Sequence, residues 1–191
     1  MAVIRNAISE GTLRDKTQRL RVGGSTSLNK PQHSSPAQLL LMACLLGAVM
    51  GVVFIVTQPL FGMATLTSRH AAAYQQLGNW SSVAAVTIAW AAHLAVSVFY
   101  GLLCGVVILS TARLALVALF TLAFSWLTTI IAPPANAMIV QLVSFQHIKV
   151  NQLPGFNFSL DVKFVLHLVF FAAISAALYV YKKRVKRLND Q

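Results

Sequence analysis

The chain has 191 residues, of which 57% are hydrophobic and only 10% charged, with a mean hydropathy of +0.71. Soluble domains carry about 25% charge, so this composition excludes an ordinary soluble domain and belongs to the membrane class. The formal net charge is +11, but nearly all Lys and Arg sit in two tails flanking apolar runs, which argues against nucleic acid and directs the basic ends at anionic headgroups.

Residues 1–36 form a basic tail, with Arg5, Arg14, Lys16, Arg19, Arg21 and Lys30 against Glu10 and Asp15. Val3, Ile4, Ala7 and Ile8 give it a weak apolar face that suits a short surface helix. The Gly-Gly-Ser-Thr-Ser run at 23–27 reads as a flexible tether. A disordered tail and an arm docking on a cytoplasmic partner both remain open. No continuous apolar core precedes residue 37, so no cleavable signal peptide is expected and the first span serves as the targeting signal.

Four apolar runs follow at about 37–57, 81–109, 114–131 and 162–181, the first three without charge and the fourth with Lys163 at its edge, each long enough to cross a hydrocarbon core of about 30 Å. Gly47 and Gly51 in the first, and Gly101 and Gly105 in the second, have the small-xxx-small spacing that lets helices approach closely. Gln58-Pro59 ends the first span. The loop at 58–80 has room for a short helix over Thr67–Leu77, and its Tyr74 and Trp80 suit a membrane–water boundary. Along the second span Thr87, Trp90, His93, Ser97, Tyr100, Gly101 and Cys104 share one helical face. Thr121, Ser125 and Thr128 line one face of the third. Thr87, Ser97, Thr121 and Ser125 are the candidate interhelical hydrogen-bonding groups.

Pro133-Pro134 predicts the end of the third span, and Ala137–Phe145 then reads as a separate interfacial or re-entrant helix within the loop at 132–161. Phe164, Phe170 and Phe171 of the fourth span are expected to face lipid or another protein. The tail at 182–191 carries Lys182, Lys183, Arg184, Lys186 and Arg187, which suit contact with anionic lipid.

The expected architecture is all-α: a four-transmembrane-helix antiparallel bundle over 37–181. On this plan twelve of the fifteen Lys and Arg lie on the side of the tails and three, Arg69, Lys149 and Lys163, on the other. That bias predicts both termini in the cytoplasm. A fifth span at 135–149 would send the basic C-terminal tail outside and is rejected.

His93 lies near the middle of its span, where an ionisable group is a functional candidate. A hydroxyl on a neighbouring helix, Ser125 or Thr121, would also satisfy it as a purely structural group. Haem held between His93 and His167 is an alternative. Counting about 1.5 Å per residue, His93 lies about 18 Å below the loop edge and His167 about 9 Å, which disfavours one shared macrocycle. Asp161 stands only at the entrance of the fourth span, so a proton-coupled exporter lacks its intramembrane acid. Cys44 and Cys104 are single and lie in apolar runs, so no disulfide and no dithiol chemistry is expected. No metal-site, phosphate-loop or serine-elbow motif is present.

The segments His93–Gly101 (HLAVSVFYG), Gln141–Phe145 (QLVSF) and Leu166–Phe171 (LHLVFF) resemble the corresponding stretches of the YagU-like bacterial inner-membrane proteins. That resemblance covers about half the chain and implies a bacterial inner-membrane, multi-pass address, with little about chemistry.

The leading expectation for function is non-catalytic: an accessory or assembly subunit of a larger membrane complex, such as a respiratory one, packing on other subunits and on the bilayer. The alternatives are a haem or quinone binder centred on His93, with His167 as second ligand, and a small-solute transporter.

Overall fold

The computed structural model of the chain describes residues 35–111 and 113–189. The surface helix and tether expected in the N-terminal tail lie outside them.

The local signals at each helix start are side-chain caps. Ser35 Oγ accepts from Gln38 N and Gln38 Oε1 from Ser35 N, each at 3.2 Å, a reciprocal box that opens α1 (Pro36–Thr57). A short 3-10 turn, Gln58–Phe61, follows, and the chain reverses at Gly62 with φ of 70°, a left-handed conformation suited to glycine. Thr65 caps α2 (Leu66–Gly78) and Ser81 caps α3 (Ser82–Ser110) through hydrogen bonds from Ser68 N and Ala84 N. After a tight turn comes α4 (Leu114–Val143), then an irregular loop with a 3-10 turn at Val150–Gln152. Asp161 Oδ1 accepts from Lys163 N and Phe164 N at the start of α5 (Val162–Asn189).

The described residues are all-helical, and α1, α3, α4 and α5 are each long and apolar enough to span a membrane. Their outward faces are apolar, with Leu45, Val106, Leu119 and Val169 among the most exposed side chains. Such a surface is stable only against lipid. The chain is an integral, multi-pass membrane protein. Two ends of the bundle differ: the loop end carries α2 and the 144–161 loop, and the tail end carries the start of α1 and the last turns of α5.

Helix α1 packs along α3, α4 packs along α5, and α5 also meets α1 and α3. By contrast α3 and α4 scarcely touch, and α2 bridges both at the loop end. The main core lies toward the tail end, where Ile108, Phe171, Ile174 and Leu178 are fully buried. A smaller core at the loop end joins Ala71 and Tyr74 of α2 to Ala85 and Ala89 of α3, with Val140 and Val143 of α4 against it.

The fold departs from the sequence expectation in three places. The double proline does not end the third span: α4 runs 30 residues, about 45 Å, with Pro133 and Pro134 inside it. Pro134 lacks the N–H that would bond the Ile130 carbonyl one turn earlier. Asn157 N, from the following loop, donates to that carbonyl at 3.1 Å instead. The helix survives because a neighbouring segment supplies the missing donor, and Ala137–Val143 is its continuation rather than a separate interfacial helix. Second, Phe170 and Phe171 are buried, not turned to lipid. Phe171 stacks edge-on with Tyr100 at 5.3 Å and against Phe124 at 5.9 Å. Third, Lys182 Nζ donates to the Ile108 and Leu109 carbonyls. It closes the C-terminus of α3 and is not free for a lipid headgroup. Lys183, Arg184, Lys186 and Arg187 remain exposed.

Candidate functional site

The four small-spaced glycines all lie in the contact between α1 and α3, where Gly47 and Gly101 meet each other. A Cβ on Gly47 would stand 2.5 Å from the Ser97 carbonyl oxygen, and one on Gly101 would strike the Ala43 carbonyl. Gly51 faces Ser97, and Gly105 faces Ala43 and Leu40. This contact brings the α1 backbone against the polar face of α3, and it sets the position of His93.

His93 Nε2 lies 2.9 Å from the Gly51 carbonyl oxygen. A carbonyl only accepts, so Nε2 carries the proton and Nδ1 is left as an acceptor. Ser97 Oγ donates to the His93 carbonyl at 2.9 Å and stands 3.5 Å from His93 Nε2. On the facing pair of helices, Thr129 Oγ1 donates to Ser125 O at 2.8 Å and lies 3.0 Å from His167 Nδ1. With its one proton committed, the hydroxyl accepts from His167, which places that proton on Nδ1 and leaves Nε2 as an acceptor. Phe54 of α1 stands between the two imidazoles, 5.9 Å from the His93 ring and 5.2 Å from the His167 ring, centroid to centroid.

Both histidines line one cavity of about 270 Å³ in the cleft between α3 and α4. Phe54, Tyr100 and Phe170 form its aromatic wall, and Thr128 and Asn136 its polar side on α4. Phe99, 54% exposed, and Val96 flank its opening toward lipid. The 18 Å against 9 Å depth difference expected from span edges does not keep the histidines apart. The first turns of α3 pack on α2 at the loop end, so depth counted from Ser81 places His93 too far in.

The other sequence candidates divide. Thr121 Oγ1 donates to Ser175 Oγ at 3.1 Å and is interhelical. Ser125 and Ser97 bond carbonyls of their own helices. Thr87 is exposed and bonds back to Val83 O at 2.9 Å. Neither Ser125 nor Thr121 reaches His93; Gly51 and Ser97 do.

His70 is the site residue that sequence reasoning missed. It is 7% exposed, and neither ring nitrogen has a hydrogen-bond partner among the described residues. Burial first, then the Arg69 guanidinium and then His93, lowers its pKa from 6.5 to about 4, so the imidazole is neutral. It lies on the face of α2 formed by Thr67, His70, Ala71 and Tyr74, all buried, while Ser68, Arg69, Gln75 and Gln76 point out. That helical spacing was the available signal. His70 lines the His93 cavity and also a second one of about 410 Å³ toward the loop end. The two cavities share Leu66, His70, Ala132, Asn136 and His167.

Among the described residues no cluster of three His, Cys, Asp or Glu side chains stands ready for a metal ion. Cys44 and Cys104 are free thiols. The chain matches no family model, no curated protein and no solved structure in the comparisons made.

Proposed function

We propose that the protein binds a lipid-soluble aromatic ligand of the quinone class in the cleft between α3 and α4, with His93 and His167 as its hydrogen-bonding groups. The observation that carries this reading is the single aromatic-walled cavity faced by two neutral imidazoles whose tautomers are each fixed by a partner. Each ring keeps one acceptor nitrogen, which suits the hydroxyl groups of the reduced, quinol form. The opening beside Phe99 faces lipid, where such a ligand resides.

Haem fits less well. A volume of about 270 Å³ falls below the range of about 300–1,000 Å³ common for drug-sized ligands and suits one substituted ring. An accessory-subunit role draws its support from surplus small-residue surface, but Gly47, Gly51, Gly101 and Gly105 are used within the chain. The proposal is one of binding and assigns no reaction.

The charge bias and the YagU-like resemblance support a bacterial inner membrane with both termini in the cytoplasm and the loop end outside. The test is gentle purification from native membranes, organic extraction and mass spectrometry of the extract. Stoichiometric quinone with the wild type, lost in His93→Phe, is the expected result. Ligand-free protein, or equal retention in the variant, contradicts it.

A further inference from the structure

We propose that the second cavity, toward the loop end, is a binding site for a phosphate group. It goes beyond the quinone reading and does not rest on it. The cavity is about 410 Å³, and its polar lining comes from three helices: Arg69 and His70 from α2, Asn136 and Gln141 from α4, and Lys163 and His167 from α5. No carboxylate lines it. Among the described residues Arg69 makes no ion pair, and Lys163 has only a loose approach of 4.0 Å to Asp161.

Two cations on separate walls of one concave site, one of them unpaired and the other only loosely paired, set up a positive potential that attracts an anion. His70 lines the same cavity, and its two unpaired nitrogens become available to an anion there once the ring turns toward it. It is more than nine-tenths buried, yet neither nitrogen is satisfied by the chain. A buried polar group left unpaired is destabilising, so a ligand that pairs with it is favoured. A neutral imidazole donates from one nitrogen and accepts at the other, which matches a phosphate monoanion that has both oxygen acceptors and an O–H. The Arg69 fork, the Lys163 ammonium and the Asn136 amide together offer more donors than the two oxygens of a carboxylate use.

The phosphate has two sources, a free ion or the headgroup of a phosphomonoester lipid. Both can reach the site, which lies at the loop end of the bundle.

The experiment uses the full-length protein in phosphatidylcholine nanodiscs. Inorganic phosphate is titrated calorimetrically, and phosphatidic acid, added to the discs, is counted by native mass spectrometry. The variants are Arg69→Gln with Lys163→Gln, and, as a control for the basic tail, Lys183→Gln with Arg184→Gln. Saturable binding of one phosphatidic acid, weakened at least about tenfold by the first pair and unchanged by the second, supports the site with a lipid source. Saturable binding of inorganic phosphate with the same variant pattern supports it with a soluble source. Absence of saturable binding by both probes, or binding indifferent to Arg69 and Lys163, overturns it. Both residues are exposed, so the double variant keeps the fold, and a circular-dichroism spectrum checks that.

Discussion

The His93 imidazole of α3 donates from Nε2 to the Gly51 carbonyl of α1 at 2.9 Å. A carbonyl inside a helix normally has its own N–H partner, so this one accepts a second bond through its other lone pair. The contact is possible because α1 and α3 approach backbone to backbone at Gly47 and Gly101. Glycine packing and the orientation of the site's central histidine are thus one feature.

Gly101→Leu should therefore damage both. A side chain there strikes the Ala43 carbonyl, which is rigid backbone, so α1 and α3 must separate. Overpacking of this kind costs about 1–3 kcal/mol. The expected outcome is a lower thermal midpoint in detergent, with a smaller loss for Gly105→Ala, whose nearest obstacle is the Ala43 side chain at 2.9 Å.

Thr129→Val removes the acceptor that holds His167 Nδ1 at 3.0 Å. Interhelical hydrogen bonds in membranes are worth about 0.6 kcal/mol on average, so stability should barely change. Ligand retention should fall much more, because the freed imidazole no longer presents a fixed acceptor. Equal losses of both would mark His167 as a structural group only.

Pro134→Ala restores the N–H that Ile130 O lacks. The restored intrahelical bond then competes with Asn157, whose amide donates to that carbonyl at 3.1 Å. Hydrogen exchange at Asn157 should speed up in the variant, while exchange in the tail half of α4 stays the same.

Acidification should loosen α2. The His70 pKa is about 4 in the fold against 6.5 when exposed. Above pH 6.5 both states are neutral and the burial of His70 carries no proton penalty. As the pH falls from 6.5 toward 4 the unfolded form gains a proton that the folded form refuses, and stability falls by an amount on the order of 2 kcal/mol. Below 4 the native ring also protonates and the decline stops. Urea unfolding between pH 7 and 4 measures this, and His70→Phe should flatten the profile.

Much of this arrangement is legible in the sequence. The four long apolar runs locate the spans, and the three- and four-residue spacing of Ser97, Gly101 and Cys104 identifies the buried face of α3. What escapes is whatever depends on a distant partner. The double proline obeys a local rule, yet α4 continues because Asn157 returns to it from far along the chain. His70 stands beside Arg69 on a short polar helix, and its burial arises only when α3 and α4 close over it. Phe170 and Phe171 share their face with only two polar groups, His167 and Ser175, so their inward direction rests mainly on Tyr100 and Phe124 on other helices.

The most direct measurement is a titration of the full-length protein in nanodiscs with decylubiquinol and with decylubiquinone, for the wild type and His93→Phe. Two acceptor nitrogens in the cavity predict tighter binding of the reduced compound, by about tenfold for each additional hydrogen bond of about 1.4 kcal/mol, and a preference smaller by about that factor in the variant. Failure of either compound to bind, or binding that ignores both the redox state of the ring and the loss of His93, contradicts the account.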